Sequence, residues 1–118
     1  MQFQYKKELD KEKRKEQCKI LLIKNPDKIP IILEKDPNCK IEPMKKTKHL
    51  VKKDFTVIKF IDMIRKMLKL NEGEALFLSV KGKYSISGEK TIEDIYKNYK
   101  DKEDGFLYIA YSSIEIFG

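Results

Sequence analysis

Apolar residues recur along this chain at two different periods. Val57, Phe60, Ile61, Ile64 and Leu68 recur at helical spacing behind Thr56, a good N-cap, and the pattern stops at Asn71-Glu72-Gly73. This is the clearest amphipathic helix of the sequence, with Met63 and Met67 widening its apolar face. Lys28 to Glu34 is instead rich in β-branched residues and predicts a strand, whose Pro30 should turn its missing N–H away from a partner. Lys48-His49-Leu50-Val51 predicts a second short strand and Leu76 to Val80 a third, the latter followed by a turn at Lys81-Gly82-Lys83. Thr91-Ile92-Glu93-Asp94 reads as a capping box opening a short helix marked by Ile92, Ile95, Tyr96 and Tyr99. Phe106 to Tyr111 predicts a last strand, apolar on both faces, so both sides of its sheet should be covered. Ahead of these, about Tyr5 to Lys24 reads as one charged helix with a narrow stripe of Leu9, Gln17, Ile20, Leu21 and Ile23, stopped by Pro26.

The order is helix, strand, strand, helix, strand, helix, strand. It predicts an α+β fold of the ubiquitin-like β-grasp type, with the N-terminal helical segment covering the second face of the sheet. The expected organisation is a helical extension over 1–25, a core over 26–112 and a flexible tail over 113–118.

Composition narrows the function classes. The 118 residues suit one domain, and no apolar run approaches the roughly 20 residues that span a bilayer. Any membrane attachment should therefore be peripheral or covalent. Net charge is +7, yet all but Arg14 and Arg65 of the 26 basic residues are lysine. Lysine is a poorer reader of phosphate than the planar arginine fork, which argues against a nucleic-acid partner. Cys18 and Cys39 are too distant for a CxxC motif and too few for a disulfide scaffold, so reduced thiols are expected.

Catalytic chemistry finds no footing. The one histidine, His49, sits in the basic stretch Lys45 to Lys53 without a nucleophile motif beside it. There is no H-E-x-x-H, no glycine-rich phosphate loop and no metal-ligand spacing, so neither a metal nor a cofactor is expected and the chain is not read as an enzyme.

Particular residues resemble a known family. Tyr5-Lys6, Glu12-Lys13-Arg14, Pro26-Asp27-Lys28-Ile29-Pro30, Lys48-His49-Leu50-Val51, Ile64-Arg65-Lys66 and Ala75-Leu76-Phe77 match its elements in order. Phe106-Leu107-Tyr108-Ile109-Ala110-Tyr111-Ser112 and the final Phe117-Gly118 are the most specific parts. On these residues the chain resembles the autophagy ubiquitin-like modifiers, which include the GABA-receptor-associated protein and the microtubule-associated light chains.

That resemblance implies two N-terminal helices on a ubiquitin-like core. It implies conjugation through Gly118 to phosphatidylethanolamine, by way of activating and conjugating enzymes, with a cysteine protease for processing and deconjugation. The covalent lipid would be the only attached group. A monomer is implied, cytoplasmic when free and on the autophagosomal membrane when lipidated. The partners implied are receptors with an aromatic-x-x-aliphatic motif, added as a strand along the Lys48–Val51 edge and read by two pockets expected on one face. The aromatic pocket would comprise Gln17, Leu21, Pro30, Lys48, Leu50 and Phe106. The aliphatic pocket would comprise His49, Val51, Lys52, Phe55, Phe60, Met63 and Ile64, with Lys28, Lys46 and Arg65 as basic contacts.

The chain departs from the family pattern at several of these positions. Gln17 stands where the family often has an acid, His49 where it has tyrosine, Lys52 where it has proline and Lys28 where it has arginine. Two other classes compete with lipid conjugation: a modifier attached to protein lysines, and a non-conjugated module whose basic N-terminal segment meets an acidic surface such as tubulin.

Overall fold

The structure, a computed structural model, describes residues 1–115. Its elements are α1 (Gln4–Glu8), α2 (Lys11–Lys24), β1 (Lys28–Lys35), β2 (Lys48–Lys52), α3 (Val57–Leu68), β3 (Glu74–Val80), β4 (Tyr84–Ile86), α4 (Ile92–Tyr99) and β5 (Leu107–Glu115). The strands form one mixed sheet in the order β2-β1-β5-β3-β4. Its central pair β1 and β5 is parallel and the other pairs are antiparallel.

Alternation along the strands divides the interior in two. Ile29, Ile31 and Leu33 of β1 and Leu107, Ile109 and Tyr111 of β5 join Val57, Phe60 and Ile64 of α3 and Ile92 and Ile95 of α4 in one core. Ile32, Phe106 and Tyr108 face the other way and pack with Tyr5, Cys18, Leu9, Leu21 and Leu22 of the N-terminal segment. The doubly apolar last strand is thus covered on both faces, as its sequence requires.

Four local features differ from the sequence reading. The N-terminal segment is two helices, as the family resemblance implies, rather than the single helix that its charge pattern predicts. Leu9 is extended, and the Asp10 carboxylate accepts the Lys13 N–H at 2.9 Å to start α2 afresh. The five-residue α1 is too short to persist alone. It is held by Glu34 on β1, whose carboxylate accepts the Gln4 and Tyr5 N–H groups at 2.7 and 3.0 Å.

A short strand, β4, was also not predicted. It returns from β3 after Lys81 and Gly82, both at positive φ, and only Ile86 among its residues is buried. The last strand does not end at Tyr111. It continues through Glu115, pairing Ser112 with Phe77 and Glu115 with Glu74, so Ser112 to Glu115 is not a tail.

The fourth difference is a buried ion pair. Arg14 of α2 and Asp104 before β5 meet at 2.7 Å, and both side chains are nearly inaccessible. Their contact holds α2 on the sheet. The close approach behind it needs Gly105: at φ +88°, a Cβ there would stand 3.0 Å from the Cys18 sulfur. Pro30 behaves as the sequence requires. It lies opposite Leu50, between the bonded registers Asp27/Lys53 and Leu33/Thr47, where backbone groups turn away from the neighbour. Pairing with β5 begins only at Ile31.

Candidate functional site

β2 is an edge strand, with β1 on one side only. The Lys53 N–H bonds the Asp27 carbonyl at 3.0 Å and the Leu33 N–H bonds the Thr47 carbonyl at 2.8 Å. Antiparallel bonding alternates, so His49 and Val51 bond to β1, while Lys48, Leu50 and Lys52 turn their backbone groups outward. The Lys52 carbonyl already accepts the Phe55 N–H at 3.1 Å. Lys48 and Leu50 are left as the donors and acceptors that an added strand would meet.

The same alternation sorts the side chains. Lys48 and Leu50 lie on the α2 side with Pro30 and Ile32, while His49 and Val51 lie on the α3 side with Ile29 and Ile31. The expectation of two pockets on one face is therefore corrected. The two residue sets flank β2 from opposite faces of the sheet. An aromatic-x-x-aliphatic spacing suits this better, because residues three apart on an extended strand point to opposite sides.

On the α2 side, the Gln17 amide oxygen accepts from the Tyr5 hydroxyl and from the Lys48 ammonium, the latter at 3.2 Å. Leu21 packs on the cluster that holds Ile32 and Phe106. Phe106 is fully buried beneath the Tyr5 ring, edge to face at 5.3 Å, so it underlies the site and offers no open wall. Tyr5 and Ile32 belong to this cluster and were not predicted for it. The Pro30/Ile32 alternation was a signal for Ile32.

On the α3 side, His49, Val51, Phe60 and Ile64 are buried, while Phe55 and Met63 are part-exposed above them. Lys52 does not join this set. It shares the parity of Lys48 and Leu50 and pairs with Lys28 across β1. Lys46 is exposed just beyond the strand. Arg65 is committed elsewhere: its guanidinium donates to the Glu74 carbonyl and, at 2.9 Å, to the Asn71 carbonyl, tying the end of α3 to β3. Gly118 and Phe117 lie outside the described residues.

His49 brings an imidazole to this edge. Burial lowers its pKa below 6.5, its bond to the Lys46 carbonyl at 2.9 Å opposes this, and the Lys46 charge lowers it further. The unfolded chain therefore binds the proton more readily than the folded one. Stability is expected to fall as pH drops from 6.5 towards the folded pKa. Urea midpoints at pH 7.5 and 5.5 check this, and His49→Gln should show the smaller drop.

The family model described as autophagy protein Atg8, ubiquitin-like, matches residues 12–118. The chain belongs to this Atg8 family. It is 40% identical over 106 residues to human microtubule-associated protein 1 light chain 3 gamma, covering 89% of this chain and 71% of that protein. It is also 40% identical over 114 residues to autophagy-related protein 8e of Arabidopsis thaliana, covering 97% of this chain and 92% of that one. The crystal structure of Trypanosoma brucei ATG8 superposes with a TM-score of 0.90 at 35% identity, each chain covered in full. The protein is thus an autophagy ubiquitin-like protein of α+β fold. No helix among the described residues is long and apolar enough to cross a membrane.

Proposed function

We propose that this Atg8-family chain is a modifier joined through the Gly118 carboxylate to phosphatidylethanolamine. Activating and conjugating enzymes would carry it there, and a cysteine protease would process and release it. On the forming autophagosome it would recruit receptors bearing aromatic-x-x-aliphatic motifs. It performs no chemistry of its own and takes no cofactor beyond the covalent lipid. Two acyl chains suffice for stable anchoring where one is marginal.

The observation that carries the receptor half of this reading is the open β2 edge with apolar sets on both sides. Lys48 and Leu50 turn backbone groups outward there. An added peptide strand would place its aromatic residue over Leu21, Pro30 and Leu50 and its aliphatic residue beside Val51, Phe55 and Met63. The five lysines from Lys45 to Lys53, without an acid among them, favour acidic residues flanking the motif.

Apolar anchoring should outweigh the exposed charges. Leu50→Ala is expected to cost about 2 kcal/mol of binding, as anchor truncations do. Lys46→Ala should cost at most about 1 kcal/mol and lose its effect in salt. Lys28→Ala, at the far end of the edge, should cost less than either. Titration of an acidic aromatic-x-x-Leu peptide at low and physiological salt tests this order. Wild-type affinity in Leu50→Ala would show that the peptide binds elsewhere.

A further inference from the structure

A cavity of about 550 Å³ lies between the N-terminal segment, the turn after β3 and the end of α4. Three rings line it, Phe3, Tyr99 and Tyr108, and so do three lysines, Lys6, Lys7 and Lys81. No acidic residue is among its described lining. The Tyr108 hydroxyl donates to Asp104, so this residue offers the cavity its ring rather than a polar group. Phe3 stands edge to face against that ring at 5.0 Å. Lys6 is committed as well: its ammonium pairs with Asp101 and lies 4.8 Å from the centre of the Tyr108 ring. Lys7 and Lys81 are both exposed, and neither is in an ion pair among the described residues.

The fold sets this cavity apart from the β2 edge. β1 and β5 stand between β2 and β3 in the sheet. Lys81 follows Val80, the last residue of β3, and Val80 pairs with Ile109, next to Tyr108 on β5. Glu74, at the other end of β3, pairs with Glu115. The length of β3, roughly 20 Å, therefore separates the cavity from the Glu115 end of the sheet. A partner seated here leaves the β2 edge open.

We propose that this cavity is a second peptide-binding site, which takes an aromatic side chain from an acidic segment of a partner protein. The ring packs on Phe3, Tyr99 and Tyr108, where edge-to-face and offset contacts are favourable. Carboxylates on either side of it meet Lys7 and Lys81, which have no carboxylate of their own among the described residues. Lysine ammoniums are compact point charges that suit carboxylates, whereas a phosphate chain would call on arginine, and none is among the described lining. Binding here needs neither the lipid nor the β2 edge.

The probe is a Glu-Glu-Phe-Glu-Glu-Glu peptide, which has no aliphatic residue three places after its ring and so lacks the motif assigned to the β2 edge. Titrated into ¹⁵N-labelled protein, it should move the amide resonances of Lys7, Lys81, Gly82 and Tyr108 and leave those of Lys48 to Val51 in place. Lys7→Glu combined with Lys81→Glu, both at exposed positions, should weaken the peptide about tenfold. Exchanging the phenylalanine of the probe for alanine should cost about as much, because the ring is the anchor. Shifts confined to Lys45 to Lys53 would overturn the proposal, as would no shifts at all. Equal affinity for the alanine peptide would overturn it by leaving charge alone as the attraction. Tighter binding of an oligouridylate of the same charge would overturn it by assigning the cavity to nucleic acid.

Discussion

Asp104→Ala should destabilise the fold by about 3–5 kcal/mol, the range for removing one partner of a buried ion pair. The Asp104 side chain is inaccessible, and each of its oxygens is used. One accepts the Arg14 guanidinium at 2.7 Å and the Tyr108 hydroxyl, and the other accepts the Phe106 N–H at 2.9 Å. Truncation would leave the buried Arg14 without its counter-charge and two donors without their acceptor. Burial alone would lower the Arg14 pKa, but its bonds and attraction to Tyr108 and Asp104 raise it instead. Arginine is not deprotonated in proteins, so in the variant Arg14 cannot escape by losing its proton. Tyr108 stays a donor as well, since burial, the first cause of its raised pKa, remains in the variant.

Removing both charges should be milder than removing either one. Arg14→Met with Asp104→Leu is expected to be less destabilised than Asp104→Ala, a non-additivity that marks coupled groups. Urea midpoints of the variants measure this. An Asp104→Ala protein within 1 kcal/mol of wild type would mean that the pair contributes little.

Deletion of Gly118 should abolish conjugation while leaving the fold intact. On the function proposed above, a glycine would present its acyl carbon without a Cβ to a narrow enzyme channel. Gly118→Ala should lose most of the conjugate for the same reason. Position 118 lies beyond Glu115, the last residue paired to β3, so its removal breaks none of the described ladder bonds. Conjugate yield from the reconstituted enzymes and the urea midpoint should therefore part company, the first lost and the second unchanged. Undiminished conjugate from the deleted chain would place the reactive group elsewhere.

How legible these features were depended on the range of the interactions behind them. Helix α3 was legible because its apolar spacing and its Thr56 cap are local, and Thr56 does accept the Lys59 N–H at 3.1 Å. The capping box of α4 is present for the same reason. The break at Leu9 and Asp10 was legible only through the family resemblance, which implies two helices, because lysine and glutamate on both sides favour helix equally. What fixes α1 is Glu34, some 30 residues away. Arg14 read as one charge among many, since its partner lies 90 positions on. β4 is too short and too exposed to show alternation.

Around β2, the strand itself was legible in the sequence and the face that each residue takes was not. Lys48, His49, Leu50, Val51 and Lys52 form β2 itself, but Lys52 shares the face of Lys48 and Leu50, and Arg65, expected as a basic contact, bonds to the Glu74 and Asn71 carbonyls instead. The separation of the β2 residues onto opposite faces follows from strand parity, which the sequence contained and which needed the register to be fixed. The burial of Phe106, Phe60 and Ile64 beneath the surface depends on helices packed from distant segments.

The proposed lipid conjugate is detected by intact-mass analysis of the chain after incubation with cognate activating and conjugating enzymes, ATP and phosphatidylethanolamine vesicles. The expected product is heavier by one phosphatidylethanolamine less one water and bound stably to the vesicles, with none from the chain lacking Gly118. A chain that stays at its free mass, or gains the mass of a protein instead of a lipid, would contradict it.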